Sequence, residues 1–312
     1  LENLLVLPLA LIIDLVIGEY PARLHPVVWM GGVISLLLKI APKKNNAAGF
    51  VYGILIVLFT IVLFGLPVYF LLVYLKEVSL ILYVLAAAVL LKSSFSAKAL
   101  AVAVRRVREL LFKDRIEAAR EEMSYLVSRD TSKLNRRQIT SAAVEVTAES
   151  VTDSIVAPLF YWLLLGVPGA VAYRVVNTFD ARIGYHGEYE YLGKFAARLD
   201  DVLNYIPARL AGLLLVVSSY LAKMNVRKSW SVMLCDHAKT ESPNAGWTMS
   251  AVAGALGVQL EKPGYYKLGD DANQLSLTSI SGGLKLMWLS VSIWFVLCMV
   301  VTGVCYAVIA WR

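Results

Sequence analysis

The chain has 312 residues, 58% of them hydrophobic and only 17% charged, against about 45–50% apolar and about 25% charged in a soluble globular domain. That balance excludes an ordinary water-soluble protein and points to an integral membrane protein. The net charge of +7 comes from Lys and Arg gathered in loops, which membrane topology explains without a nucleic-acid partner.

Residues 3–17 read as a short apolar helix containing Asp14. It lacks a basic flank and a small-residue cleavage site, so it is expected to be a retained membrane helix rather than a signal peptide. The turn GEYPARLHP follows, then a second short apolar helix at 27–40 and the basic residues Lys39, Lys43 and Lys44, which mark a cytoplasmic loop. Residues 50–75 and 78–103 are expected to be two spans of an antiparallel hairpin. About ten Lys and Arg in 105–137 place the ends of that hairpin in the cytoplasm. Residues 105–128 have helical periodicity, with Asp114 and Glu117 as a capping box, and predict a cytoplasmic amphipathic helix.

Asn135 and Gln138 form another capping signal, and nothing breaks the following helix before Pro158. The apolar run beyond it reaches LLLGVPGAVAY, where Gly166, Pro168 and Gly169 predict a break. The expectation is a segment that dips into the membrane, turns at GVPG and returns. Residues 177–207 read as a polar stretch, 208–222 as a short apolar one, and 223–284 as a long loop with a Pro-Gly-Tyr-Tyr turn and Gly-Gly at 282–283. Residues 286–311 carry no charge and exceed the roughly 20 residues needed to span a bilayer. No internal repeat is visible, and the chain reads as one domain over 1–312. The fold class is therefore all-α: a polytopic integral membrane helical bundle with re-entrant or broken helices and cytoplasmic amphipathic helices.

Cys235, Cys298 and Cys305 are scattered and give neither a disulfide framework nor a metal cluster. His25, His186 and His237 lack metal-ligand spacing, and no phosphate-binding glycine loop follows a strand. What stands out is Glu145, Glu149 and Asp153, at i, i+4 and i+8 on one helix face. Like charges so spaced repel, so they are either solvated in a salt-bridge network or neutralised by cations. Arg174, Arg182, Arg198 and Arg209, or bound magnesium with substrate phosphates, could do this. Asp180, Asp200 and Asp201 form a second, weaker acidic group. Arg129, in the turn RDTS, could grip a phosphate or carboxylate.

Six segments together resemble a known family. They are DLVIGEYPARLHPVVWMG, RDTSKL, AAVEVTAESVTDSIVAPLFY, GVPGAVAYRVVNTFDARIGY, AARLDDVLNYIPARL and SPNAGWTMSAVAGALGV. In order and over nearly the whole chain, they are similar to the CbiB/CobD family of cobalamin biosynthesis proteins, the adenosylcobinamide-phosphate synthases. The sequence departs from the family pattern at Glu19, Ser150, Thr248 and Lys98, which leaves the form of the amine substrate open.

The resemblance implies a multi-pass enzyme of the cell membrane that joins adenosylcobyric acid, a corrinoid, to (R)-1-aminopropan-2-ol or its O-phosphate through an amide. ATP is the expected co-substrate, with Mg2+. On that reading Glu145, Glu149 and Asp153 are magnesium ligands or base, and Asp180 is a further catalytic carboxylate. Arg129, Arg174 and Arg198 hold phosphates. Asp130, Thr131, Asn177, Asp201, Ser242, Asn244 and His25 complete the substrate-binding set. The expected partners are the lipid bilayer and either a second copy of the chain or other late corrinoid-pathway membrane enzymes. Two other readings carry less of the sequence: a membrane prenyltransferase using a magnesium-bound diphosphate, and a corrinoid transporter built on a discontinuous helix.

Overall fold

The computed structural model describes residues 2–42, 45–187 and 189–311; Lys43 and Lys44 of the expected cytoplasmic loop lie outside them. The chain is an all-α membrane bundle with one small β-hairpin. Among the described residues four helical segments are long and apolar enough to cross a membrane: Asn46–Val78, Arg136–Ile183, Lys194–Leu221 and Leu277–Val308. The chain gathers into two compact units. One comprises Leu1–Ser96, Ala157–Leu203 and Leu297–Arg312; the other comprises Ala97–Val156 and Asn204–Val296.

The first unit begins with α1 (Glu2–Val16) and α2 (Pro26–Lys39), followed by α3 (Asn46–Val78) and α4 (Leu80–Lys92). Asn45 caps α3 through Ala48 N–H. The 33 residues of α3 expose Leu55, Phe59, Val62 and Phe70, an apolar surface suited to lipid. The stretch 78–103 is not one span. It stops at Lys92, whose side chain is fully buried against Asp14 at 3.3 Å and Glu19 at 3.0 Å. A charge withdrawn from lipid onto two carboxylates ends the membrane run there.

The GVPG turn is a true reversal. α8 (Ala157–Ile183) is broken at Gly166, where φ is 68° and ψ −164°, a backbone region essentially restricted to glycine. Tyr161 and Tyr173 stack with ring centroids 5.3 Å apart, whereas twelve residues of straight helix would separate them by about 18 Å. The two arms therefore lie side by side, and Gly169 packs against the Tyr161 carbonyl too closely for any Cβ. The return arm buries Tyr173, Val175, Val176 and Phe179.

The polar stretch after it is largely helical. α8 runs to Ile183, and α9 (Lys194–Leu221) passes straight through Pro207. A proline inside a helix leaves the carbonyl four residues earlier without its donor. Here the Tyr161 hydroxyl supplies one, donating to the Leu203 carbonyl at 2.9 Å.

The second unit contains α5 (Lys98–Phe112), α6 (Ile116–Ser124) and α7 (Arg136–Val151). The expected single helix over 105–128 is thus the end of α5 followed by α6. Asp114 does not cap: it adopts φ 55° and pairs with Arg136 at 2.8 Å, leaving Arg115 at the N-cap position. The Asn135–Gln138 capping box is formed in full. α7 ends in a wide π-helical turn, Thr152–Val156, which accommodates the approach to Pro158.

The expected loop 223–284 is instead mostly ordered elements: α10 (Val226–Asp236), α11 (Ala245–Leu256), β1 (Leu260–Lys262), β2 (Tyr266–Leu268) and the start of α12 (Leu277–Ala310). β1 and β2 pair antiparallel with Leu260 opposite Leu268 and Lys262 opposite Tyr266, and Gly264 turns between them at φ 81°. Gly282 lies inside α12, where the Leu256 side chain fills the space of a Cβ.

Candidate functional site

Each unit assembles its own group of the residues singled out in the sequence. In the second unit, α7 buries Ser141 and Glu145 one turn apart. The Glu145 carboxylate is saturated. Its Oε1 accepts from the Ser141 hydroxyl at 2.5 Å, and its Oε2 accepts from Arg129 Nη2 at 3.2 Å and from the Tyr266 hydroxyl at 3.0 Å. The backbone N–H of Glu261 in β1 donates to Ser141 Oγ at 2.8 Å, so the hairpin that carries Tyr266 also fixes the serine. Burial, then the Glu145 and Glu149 carboxylates, push the Tyr266 phenol well above its usual range; it remains a donor.

The turn that carries Arg129 is built by its neighbours. Asp130 Oδ1 accepts from Ser132 N–H at 2.9 Å, and the Thr131 hydroxyl donates to the Arg120 carbonyl at 2.8 Å. Asp130 and Thr131 therefore shape the loop. Glu149 lies near enough to Tyr266 to act on it electrostatically. Asp153 belongs to the π-helical turn, which takes it out of the regular spacing of Glu145 and Glu149.

A further cluster in this unit holds Ser242 and Asn244. Asn244 N–H donates to Ser242 Oγ at 3.2 Å, and Asn244 Oδ1 accepts from Arg209 Nη1 at 3.4 Å. The Arg209 guanidinium lies 3.5 Å from the centre of the Tyr205 ring and 4.9 Å from that of Trp247. His237 leans on the other partner of this stack, its ring 4.1 Å from Trp247. Tyr205, Trp247 and Tyr266 were not anticipated. The spacing of Tyr205 and Arg209, four residues apart on one helix, was the available signal.

In the first unit, the return arm of α8 presents Arg174, Asn177 and Asp180 on one face. Arg174 Nη1 donates to Asn177 Oδ1 at 3.1 Å, and Asn177 Nδ2 donates to Asp200 Oδ1 at 3.4 Å. Asp180 feels the charge of Asp201, which itself lies 3.8 Å from the exposed Arg198. Arg174 Nε is buried without a hydrogen-bond partner. Arg182 is spent on the Gly31 carbonyl and Ser35.

His25 belongs to a different network. Its Nδ1 accepts from Val27 N–H at the start of α2, which leaves Nε2 to donate to Glu19 Oε2 at 2.6 Å. Glu19 Oε1 meets Lys92 at 3.0 Å and the Ser96 hydroxyl at 2.5 Å.

Among the described residues no three His, Cys, Asp or Glu side chains converge as a metal-binding set. Magnesium commonly takes one or two protein carboxylates and completes its shell with phosphates and water. Asp180 and Asp201, which sense each other's charge, are two carboxylates of that type.

The chain matches the family described as CobD/Cbib protein over residues 7–287. It is 51% identical to the cobalamin biosynthesis protein CobD of Dehalococcoides mccartyi, over 94% of this chain and 96% of the relative. It is 46% identical to a probable cobalamin biosynthesis protein CobD of Methanothermobacter thermautotrophicus, over 90% and 92% of the two chains. A similarly named protein of Methanocaldococcus jannaschii is 40% identical over 86% and 88%. No solved structure matches. With membrane helices, six motifs in order and relatives aligned over 86–94% of its length, this chain belongs to the CobD/CbiB family of cobalamin biosynthesis proteins.

Proposed function

We propose that the chain is an adenosylcobinamide-phosphate synthase of the cell membrane, which uses ATP to form an amide between adenosylcobyric acid and (R)-1-aminopropan-2-ol or its O-phosphate. The observation that carries this reading is the family match over residues 7–287, to which the first unit adds Arg174 bonded to Asn177 on the α8 face that also bears Asp180. That face combines an acid with a cation suited to phosphate.

Amide formation from a carboxylate in water needs activation. A corrinoid carboxylate oxygen attacks the terminal phosphorus of ATP, and ADP leaves. The amine nitrogen then attacks the acyl carbon, phosphate leaves, and a base takes the amine proton. Magnesium held by Asp180 and Asp201 would shield phosphate charge. In the same unit Arg174 and Arg198 hold phosphate oxygens, and Asn177 orients the substrate. Within the second unit taken by itself, Glu149 and Asp153 are candidate acid–base carboxylates, and Ser242 and Asn244 are candidate hydrogen-bonding groups for substrate.

The test is turnover by the detergent-purified chain given adenosylcobyric acid, magnesium-ATP and either amine, with the amide sought by mass spectrometry. Product supports the synthase reading, and the preferred amine identifies the substrate. No product with either amine from folded protein removes it. Full turnover by Glu149→Ala removes the role given to that carboxylate.

A further inference from the structure

Arg129 is a largely buried guanidinium with part of its donor set unspent. Nη2 donates to Glu145, while Nε and Nη1 are shielded from solvent and have no hydrogen-bond partner. The 15% exposure of the side chain lies on its other atoms, so a ligand reaches Nε and Nη1 by displacing what covers them. Arginine stays charged at any physiological pH and presents its donors in a fixed planar fork. Unpaired buried donors of a charged group are costly, and such exceptions call for a specific explanation.

The rest of the cluster explains how the guanidinium is held. Glu145 is engaged at both oxygens by Ser141, Arg129 and Tyr266. Ser141 is itself set by the Glu261 backbone. Three separate segments, the 129–132 turn, α7 and the β-hairpin, therefore fix one carboxylate, and that carboxylate fixes one arginine. A carboxylate so occupied is poorly suited to ligate a metal. It is well suited to orient a cation.

We propose that Arg129 is a receptor for an oxyanion, a phosphoryl or carboxylate group presented to Nε and Nη1, and that Glu145, Ser141 and Tyr266 are its positioning residues. The proposal rests on the synthase reading for the source of such groups. It reassigns Glu145 from metal ligand or base to positioning.

The experiment titrates inorganic phosphate and, separately, acetate into the detergent-purified full chain by calorimetry, without magnesium or corrinoid. Wild type is compared with Arg129→Gln, Arg129→Lys and Tyr266→Phe, each shown to be monodisperse. Saturable binding is expected that Arg129→Gln abolishes, Arg129→Lys partly restores and Tyr266→Phe weakens about tenfold, the scale of one hydrogen bond to a charged group. A response to phosphate alone assigns the site to a phosphoryl group, and a response to acetate alone to a carboxylate. No saturable binding of either probe, or binding unchanged in Arg129→Gln, overturns the receptor. Unchanged affinity in Tyr266→Phe overturns the positioning role. Because the binding assay needs no turnover, Arg129-dependent binding without amide product would sink only the synthase reading. Amide product without that binding would sink only this one.

Discussion

Replacing Lys92 by Met tests whether the buried network at the end of α4 holds the first unit together. The lysine and Asp14 side chains are both fully buried and 3.3 Å apart, with Glu19 3.0 Å away on the other side. Removing one partner of such a pair leaves a buried charge poorly compensated and costs about 3–5 kcal/mol. Replacing both Lys92 and Asp14 by apolar residues of similar size is often neutral. Glu19 would still be held by His25 and Ser96. The expected result is a clear fall in the denaturation midpoint of Lys92→Met, followed by circular dichroism in detergent, and recovery of most of it in Lys92→Met with Asp14→Leu. A single variant within about 0.5 kcal/mol of wild type, the range of a surface substitution, would refute the reasoning. So would a double variant as unstable as the single one.

Other substitutions probe the reversal and its supports. Gly166→Ala forces a side chain onto φ 68°, ψ −164° and is expected to cost about 1–3 kcal/mol, read as a lower denaturation midpoint; no change would mean the turn is not fixed there. Tyr161→Phe keeps the ring stack with Tyr173 but removes the donor to the Leu203 carbonyl. It should cost about 1–3 kcal/mol, and the cost should vanish when Pro207 is replaced by Ala, which restores the helix's own donor. Burial raises the Glu19 carboxyl, but His25, Ser96 and Lys92 outweigh it and hold it at about 2, below its ordinary 4.5. A depressed folded value contributes stability above the unfolded value. That stability is lost as pH falls from about 4.5 towards about 2. Thermal midpoints measured across that window should therefore slope less in Glu19→Gln than in wild type.

What the sequence made legible was local. The Asn135–Gln138 box lies within four residues, and the glycines and proline of GVPG declare their own break. The cores of α3 and α12 are apolar over more than a bilayer's thickness. Readings failed where a distant residue intervened. The run 78–103 looks like one span because Asp14 and Glu19, which claim Lys92, are more than 70 residues away in sequence. Asp114 had the right spacing to cap α6, but Arg136 takes its carboxylate. Pro207 looked like a boundary because nothing near it announces the Tyr161 hydroxyl. The same limit governs the candidate site. Glu145 and Arg129 were visible as charges in short motifs, whereas Tyr266 reaches Glu145 only because a hairpin of two three-residue strands brings it back.

The two units share a physical device. In one, Arg129 is oriented by Glu145 and keeps two buried donors unpaired; in the other, Arg174 is oriented by Asn177, itself tied to Asp200, and keeps Nε unpaired. In both, the orienting side chain stands on a helix, where its rotamer is limited by the preceding turn. A lysine would not serve equally: its ammonium is a rotating point charge, whereas a guanidinium locked on one side offers the remaining donors in a fixed direction. Preorganised donors of this kind strengthen in a site from which water is excluded. Glu145 therefore does more by aiming Arg129 than by neutralising it, and the uncharged Asn177 can only aim Arg174. That is why a charge-conserving Arg129→Lys is expected to recover only part of what Arg129→Gln removes.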